Sequence, residues 1–452
     1  MNRSSLQEQR ERAEAQITMN AQIFRERRRR VLEAMGSGVL VIPAAPVAIR
    51  NHDVEHEYRQ DSDFYYLTGF EEPESVLVLS SEAPEAMTLF LRERDPEREV
   101  WDGARAGLEG ARETYGADRA FAIGQLDEEL PRLFEVDRVF YAFGRDPQFE
   151  ARFFAALGAA RRRAKTGARF PTEIIDPGKV LHRLRLLKSG EELQLMTRAI
   201  DITREAHVRA MAEAAPGKYE YEIDAVLSQV FRRRGSPRPA YGSIVGSGPN
   251  ATVLHYRSNN RQMQDGELLL IDAGCEYEYY ASDITRTFPV NGSFSEPQRA
   301  IYEVVLEAQL ASIRAVRPGA TLDDVHRASV EVITRGLVQL GLIEGPVSEA
   351  IEELRYRPYY MHKTSHYLGM DVHDVGPYFE GGKPRPLQAG VVITVEPGIY
   401  IAEESAAPEA YRGIGVRIED DVLVTDQGHR VLSAAIPKTV ADVEAACRGE
   451  LG

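Results

Sequence analysis

The stretch Leu268-Leu269-Leu270-Ile271-Asp272-Ala273-Gly274, followed after a turn by Ala281-Ser282-Asp283-Ile284-Thr285-Arg286-Thr287-Phe288, decides how the chain is read. A continuous apolar run describes a strand buried on both faces, yet this one ends on a carboxylate and a glycine. Eleven residues further on, Asp283 lies in a β-branched and aromatic segment that reads as the partner strand. A hairpin brings Asp272 and Asp283 to the same level of one sheet. Two ionised carboxylates in an apolar setting repel and lose solvation, so either one is protonated or a cation lies between them. We adopt the cation.

The pattern recurs 124 residues later. Gln264, Gly266, Asp272 and Gly274 share their spacing with Gln388, Gly390, Glu396 and Gly398, and the residues between each first glycine and its acid are nearly all apolar. Beyond Glu396 a second strand-like segment carries carboxylates, Val416-Arg417-Ile418-Glu419-Asp420-Asp421-Val422. The gap from Glu396 to Glu419 is 23 residues rather than 11, because a loop around Glu403 to Tyr411 intervenes. Two acids at strand ends, each followed by an acidic strand, predict two related halves that place four carboxylates in one site.

The helices repeat as well. Ser189 and Glu192 have capping-box spacing at the start of a helix over 188–215, which Pro216-Gly217 ends, and a second helix covers 221–234. Ser295 and Gln298 open another over 296–317, and Thr321 caps one over 321–340. Each carboxylate-bearing β segment thus follows a helix pair, giving an α+β domain of two αα-ββ halves. Upstream, residues 1 to about 20 are polar and read as frayed or helical, a helical period covers 21–35, and strands are expected at 38–47, 64–67, 75–79, 87–91 and 138–142. Helices are expected at 126–135 and 148–165, and the alternation describes an α/β domain of about 150 residues. Basic residues with Pro171 and Pro177 mark a linker over 164–178. The expected division is an N-terminal α/β domain over 1–170 and a second domain over 178–445.

At 452 residues, two or three domains fit a prior of roughly 150 residues each. The net charge of −15 speaks against a nucleic-acid backbone or an anionic membrane as main partner. The basic runs Arg27–Arg30 and Arg161–Arg163 sit in helix-like segments and read as solvated faces. Cys275 and Cys447 are the only cysteines, which fits a reducing compartment. Cys275, close to the acids, reads as a small strand-turn residue ahead of a metal ligand. No apolar run is long enough to span a bilayer, and the charged first 30 residues lack the apolar core of a secretory signal, so the expected location is cytoplasmic.

Histidines gather before the second acidic strand. His362 and His366 are four apart, but Lys363 stands where a zincin helix carries its glutamate base. His373, in Asp371-Val372-His373-Asp374, and His255, after the loop Gly246-Ser247-Gly248-Pro249-Asn250, are further candidates.

With these residues in view, the stretch from about 240 to 430 resembles the metallopeptidases of the pita-bread fold, the family of methionine aminopeptidase, prolidase and aminopeptidase P. Asp272, Asp283, His366, Glu396 and Glu419 match its five-ligand dinuclear pattern in order and context. The finer match is to aminopeptidase P, the Xaa-Pro aminopeptidases. It rests on Asp272-Ala273-Gly274-Cys275-Glu276-Tyr277, Asp283-Ile284-Thr285-Arg286-Thr287-Phe288-Pro289-Val290 and Tyr411-Arg412-Gly413-Ile414-Gly415-Val416-Arg417-Ile418-Glu419-Asp420-Asp421. Arg59-Gln60-Asp61-Ser62-Asp63-Phe64-Tyr65-Tyr66-Leu67-Thr68-Gly69-Phe70 resembles that family's N-terminal domain, so nearly the whole chain is covered. Lys363-Thr364 departs from it, being bulkier and more polar than expected after the histidine.

The resemblance implies a pita-bread domain with a pseudo-twofold repeat behind an α/β N-terminal domain. It implies two divalent ions, Mn²⁺ foremost with Zn²⁺ or Co²⁺ as substitutes, since four carboxylates and an imidazole suit hard or borderline cations. Asp283, His366, Glu396 and Glu419 would hold one ion, and Asp272, Asp283 and Glu419 the other. A hydroxide held between them would attack the scissile carbonyl, with Glu396 as general base and His255, His362 and His373 orienting substrate. Arg417, counted among the catalytic groups, and Tyr400, counted also among the substrate-binding ones, would with Thr285 fix the carboxylates; for Arg417 a plain ion pair is the rival reading. Trp101, the only tryptophan, sits in a turn and either roofs a substrate site, in this subunit or a neighbour's, or fills a core. The implied substrates are short peptides with proline second, and the implied assembly is a dimer or tetramer. The rivals are a prolidase acting on Xaa-Pro dipeptides, a creatinase-like hydrolase and a non-catalytic peptide-binding domain of the same fold.

Overall fold

The computed structural model describes residues 21–84 and 86–451; the expectation for residues 1–20 lies outside them. Two compact units divide after Leu184. The first is built on a six-stranded mixed sheet in the order Arg119–Ala122, Met87–Leu91, Val76–Ser80, Val39–Pro43, Arg138–Phe140, Glu173–Ile175. Val39–Pro43 pairs antiparallel with Val76–Ser80 and parallel with Arg138–Phe140. Its strands alternate with helices Leu126–Leu133 and Pro147–Arg163, whose Leu126, Leu130, Phe149 and Phe153 pack on Val39, Val78 and Val139.

Three expectations in this unit need correction. Residues 64–67 are not a strand but lie in the helix Ser62–Thr68. The Asp61 side chain accepts from the Phe64 amide at 2.9 Å, and this cap with burial on every side outweighs the β preference of the aromatic run. The linker over 164–178 contains the strand Glu173–Ile175 at the sheet edge. The run Arg27–Arg30 is only half solvated. Arg27 and Arg28 are buried, with Arg28 Nη1 donating to the Leu67 carbonyl at 2.7 Å and Arg27 lying 4.1 Å over the Tyr66 ring.

The second unit carries the repeat. Helices Gly190–Glu213 and Glu220–Arg233 precede the sheet Ile244–Ser247, Leu268–Asp272, Thr285–Pro289. Helices Glu296–Ala315 and Leu322–Gln339 precede the sheet Val392–Val395, Asp420–Thr425, Gly428–Val431. Ser189 and Glu192 form the reciprocal capping box: the Ser189 amide donates to Glu192 Oε2 at 2.8 Å, and the Glu192 amide to Ser189 Oγ at 3.3 Å. Thr321 and Asp324 do the same at 2.9 and 3.2 Å. The helices bury Ala199, Ile202, Ala206, Ile301 and Ile333 with Leu269, Ile271 and Phe288 from the first sheet.

Gly274 and Gly398, the matched glycines of the two halves, have the same cause. A Cβ on Gly274 would stand 1.8 Å from the Ser282 carbonyl oxygen, and one on Gly398 would stand 2.8 Å from that of Val416. Each glycine lets the chain just past an acid touch its neighbouring strand. Val416–Val422 is not one strand: Ile414–Arg417 pairs with Gly398–Ile401, and Asp420–Thr425 pairs with Val392–Val395. The switch of partner leaves Glu419 in the break.

Candidate active site

Asp272 ends its strand with Thr285 as its cross-strand partner, so the hairpin forms as expected and Asp283 stands just ahead of the paired region. The Tyr241 hydroxyl touches both acids, at 2.6 Å from Asp272 Oδ1 and 2.5 Å from Asp283 Oδ1. A hydroxyl has one proton to give, so a second proton or a cation must accommodate the other oxygen. The Asp283 amide donates to Asp421 Oδ2 at 3.2 Å, which ties the first half to the second.

From the second half come Glu396, immediately after Val392–Val395, and Glu419 in the strand break. The His366 amide donates to Thr394 Oγ1 at 3.1 Å, and its Nδ1 donates to the Tyr367 carbonyl at 3.0 Å. That leaves Nε2 facing Asp283 Oδ2 at 3.4 Å and Glu396 Oε1 at 3.6 Å. Donor atoms of Asp283, His366 and Glu419 lie within 4.8 Å of one another. A ring nitrogen whose partner nitrogen is fixed by a carbonyl, turned toward clustered carboxylates, is the usual geometry of a metal-ligating imidazole. The residues present fit a divalent cation.

Arg417 links these acids. It donates from Nη2 to Asp272 Oδ2 at 2.6 Å, from Nη1 to the Tyr400 hydroxyl at 2.9 Å and from Nε to Thr285 Oγ1 at 3.1 Å. Thr285 Oγ1 in turn donates to Glu419 Oε2 at 2.7 Å. His362 Nε2 lies 2.9 Å from the Tyr400 hydroxyl, which completes a chain from acid to histidine.

The charges are strongly perturbed. Burial pushes the Glu396 carboxyl up to about 8 against the pull of His366 and Arg417, with Asp283 and Asp272 adding to the rise. Burial and then Asp283 and Glu396 raise Glu419 well above the carboxylate range, and burial raises Asp272 although Arg417 opposes it. Burial alone would lower His366, but Asp283, Glu396 and the Tyr367 carbonyl together outweigh it and hold the imidazole at about 9. Burial and Arg417 push His362 down to about 3, so it is neutral. Crowded carboxylates that resist ionising together are the electrostatic signature of a cation site.

These groups line a cavity of about 410 Å³ with His255, His373, Ile244, Leu254, Val372 and Lys363. The His373 ring meets that of His366 edge-on at 4.4 Å. Tyr400 is buried just behind the wall, touching His362 and Arg417 rather than the cavity. Cys275 stays out: its thiol donates to the Ala199 carbonyl at 3.3 Å, and burial raises it to about 11. Trp101 fills no core. It is 85% exposed, near the end of the helix Pro96–Asp102 rather than in a turn. Sequence reading gave no role to Tyr241, which has no motif spacing, and quoted Asp421 only as part of the acidic segment; the fold brings both to the acids.

The comparisons agree with this geometry. The family model described as Metallopeptidase family M24 matches residues 194–426, and that described as Aminopeptidase P, N-terminal domain, matches residues 24–141. Xaa-Pro aminopeptidase of Escherichia coli (strain K12) is 44% identical over 94% of this chain and 98% of its own. The chain belongs to metallopeptidase family M24. Xaa-Pro aminopeptidase 3 of Homo sapiens, 38% identical over 90% of this chain and 80% of its own, is a further relative of this M24 member. The solved structure of Pseudomonas aeruginosa aminopeptidase PepP has a TM-score of 0.93 at 50% identity, covering 95% of this chain and 98% of that one. A structure of Zn-substituted E. coli aminopeptidase P in complex with product gives 0.92 at 44% identity, over 95% and 98%. This M24 member therefore has the pita-bread fold behind an aminopeptidase P N-terminal domain, and it is a metal-dependent aminopeptidase of the Xaa-Pro type.

Proposed function

We propose that the chain releases the first residue of peptides with proline second, using two divalent ions held by Asp272, Asp283, His366, Glu396 and Glu419. The observation that carries this reading is the convergence of Asp283, His366 and Glu419, from both halves, within 4.8 Å. Mn²⁺ suits the oxygen-rich donor set, with Zn²⁺ or Co²⁺ able to replace it. When bound, such ions ionise water and polarise a carbonyl.

The chain's own residues do the rest. Glu396 takes the proton that the attacking water gives up and returns it to the departing proline nitrogen, which must gain one. His255 and His373 face the cavity and donate to substrate oxygen, while His362, whose one N–H goes from Nδ1 to the Lys363 carbonyl at 2.8 Å, orients substrate from the same wall. Arg417, through Asp272, Thr285 and Tyr400, holds the acids in register. The bond before proline has no N–H to grip, so selectivity falls to apolar contact, which Ile244, Leu254 and Val372 offer on the cavity wall.

We further assign the chain to the cytoplasm, supported by two free cysteines among the described residues, and to a dimer or tetramer in which Trp101 of a neighbouring subunit roofs the site. Among the described residues no helix is long and apolar enough to cross a membrane. Metal analysis of the purified protein, with cleavage of Xaa-Pro-Yaa measured before and after chelation, tests the proposal. Bound metal with activity lost on chelation and restored by Mn²⁺ is expected. Cleavage of Xaa-Pro dipeptides alone overturns it in favour of a prolidase, and peptide binding without turnover in favour of a binding domain.

A further inference from the structure

Glu220 opens the helix Glu220–Arg233 and is fully buried. A carboxyl taken out of water costs free energy unless its oxygens are hydrogen-bonded, and here both are. Oε1 accepts from the Ser247 amide at 2.7 Å, from Ser247 Oγ at 2.8 Å and from Asn250 Nδ2 at 3.1 Å. Oε2 accepts from the Tyr256 hydroxyl at 2.8 Å and from the Arg261 amide at 2.9 Å. Among the described residues all five donors belong to one loop, 247–261. One oxygen holds the loop where it leaves the strand Ile244–Ser247, and the other holds it where it returns.

That loop is a wall of the active-site cavity, which Leu254, His255 and Arg257 line. The His255 side chain is exposed, so its place is set by the backbone around it. On either side of it Leu254 and Tyr256 pack against Ile244, Ala251, Leu270 and Tyr400, and the Tyr256 hydroxyl ends on Glu220. A Cβ on Gly415 would stand 2.1 Å from the Ala251 carbonyl oxygen, so the loop also bears on the strand Ile414–Arg417 that delivers Arg417.

We propose that Glu220 is a positioning residue for hydrolysis. By closing both ends of the loop on one carboxylate it fixes His255 where substrate oxygen is received. This rests on the reading of His255 as a donor in an Xaa-Pro aminopeptidase. A carboxyl that served the fold alone would change stability and leave turnover per folded molecule unaltered. A positioning carboxyl acts on turnover, through His255 and independently of the metal.

The test is a double-mutant cycle on the metal-loaded protein, with Ala-Pro-Gly as substrate and the variants Glu220→Gln, His255→Ala and both together. A carboxamide accepts at only one of its two end atoms, so Glu220→Gln turns an NH2 group toward one end of the loop. In His255→Ala kcat is expected to fall about 100-fold, as when one donor to a developing oxyanion is removed. In Glu220→Gln it falls about tenfold, since misplacement by an ångström costs up to about 100-fold. KM stays within about twofold of the parent in both, the pattern of an interaction made in the transition state. The double variant turns over as His255→Ala does, because a side chain that is absent cannot be misplaced. Mn²⁺ stoichiometry and affinity, read by calorimetry, stay those of the parent. Tyr256→Phe removes one donor, keeps the ring and lowers kcat in the same direction by a smaller factor, which gives a second reading should Glu220→Gln not fold. In every variant Asn259 keeps its bonds to the Ser243 carbonyl and the Val245 amide, each at 3.0 Å, and the Gly217 amide still donates to the Met263 carbonyl at 2.8 Å. A double variant slowed by the full product of the two single effects, a loss confined to KM or to Mn²⁺ binding, or unaltered turnover in Glu220→Gln or Tyr256→Phe overturns the positioning role and leaves the aminopeptidase reading standing. His255→Ala cleaving like the parent overturns the role of His255 together with the inference, and a parent that cleaves no Xaa-Pro peptide overturns the aminopeptidase reading itself.

Discussion

Arg286 has 0% of its surface exposed and joins the two halves behind the acids. Its Nη2 donates to Asp420 Oδ1 at 2.8 Å and to the Ile436 carbonyl at 3.2 Å. Its Nε donates to the Pro437 carbonyl at 2.8 Å, and its Nη1 to the carbonyls of Thr285, at 2.9 Å, and Glu419. The Glu419 amide also donates to the Thr285 carbonyl at 3.1 Å, so one guanidinium braces the crossing point between a strand of each half. Asp420 keeps other donors: Gln309 Nε2 and Ser433 Oγ, each at 2.7 Å, and Lys438 Nζ at 2.5 Å. Replacing Arg286 by Met fills much of the space but leaves a buried carboxylate with one cation fewer and four carbonyls short of a donor. Removing one partner of a buried pair costs about 3–5 kcal/mol, and the retained Lys438 puts this case near 3 kcal/mol. For a unit of this size that lowers the melting temperature by roughly 6–12 °C. Urea unfolding of the metal-free protein measures the stability change directly. Mn²⁺ titration calorimetry on the same variant is expected to show affinity weaker by about tenfold, or about 1.4 kcal/mol, because Glu419 loses its brace. A variant within about 0.5 kcal/mol of the parent, and with unaltered Mn²⁺ affinity, would show that the network does not position the site.

Other expectations follow from the same geometry. Adding Mn²⁺ at 100 times its dissociation constant stabilises by about 2.7 kcal/mol for each site filled, so the melting temperature should rise by several degrees and fall back with chelator; a flat response removes the metal reading. Glu396→Ala, at the end of Val392–Val395, is expected to keep the far-ultraviolet spectrum and lose hydrolysis, and near-normal turnover would refute its role. His207 is fully buried, with Nε2 donating to the Ala273 carbonyl at 3.0 Å, and burial pushes it down to about 4. The unfolded chain, with its histidine near 6.5, binds the extra proton first. Stability from this group is therefore full above about pH 6.5 and is lost as pH falls toward 4, by about 3 kcal/mol. His207→Gln should flatten the stability profile in that window, and a profile parallel to the parent's contradicts the assignment. Trp101→Ala should reduce cleavage of short Xaa-Pro peptides if the neighbouring subunit's indole covers the site; unchanged activity dismisses that role.

Much of the site could be read along the chain because its acids end strands that announce themselves. An apolar run interrupted by Asp272 and Gly274, repeated around Glu396 and Gly398, is a local pattern, and the helix caps at Ser189 and Thr321 are local too. Local chemistry suffices where a backbone amide and the side chain that serves it lie within three residues of each other. The aromatic run at 64–67 failed because its helix depends on Asp61 and on burial from all sides, which β propensity does not register. Arg27 and Arg28 failed similarly, since only a distant carbonyl and ring explain charge taken out of water.

By itself the sequence determined the helix pairs, the hairpin and the matched acids of two halves. Only the tertiary structure decided what stands between them: the Tyr241 hydroxyl touching two carboxylates, Arg417 tying Asp272 to Glu419 through Thr285, and Arg286 bracing the crossing strands. Those contacts join residues tens to more than a hundred positions apart. Their energies depend on burial and on angstrom-scale distance, quantities that arise only once the chain has folded back on itself.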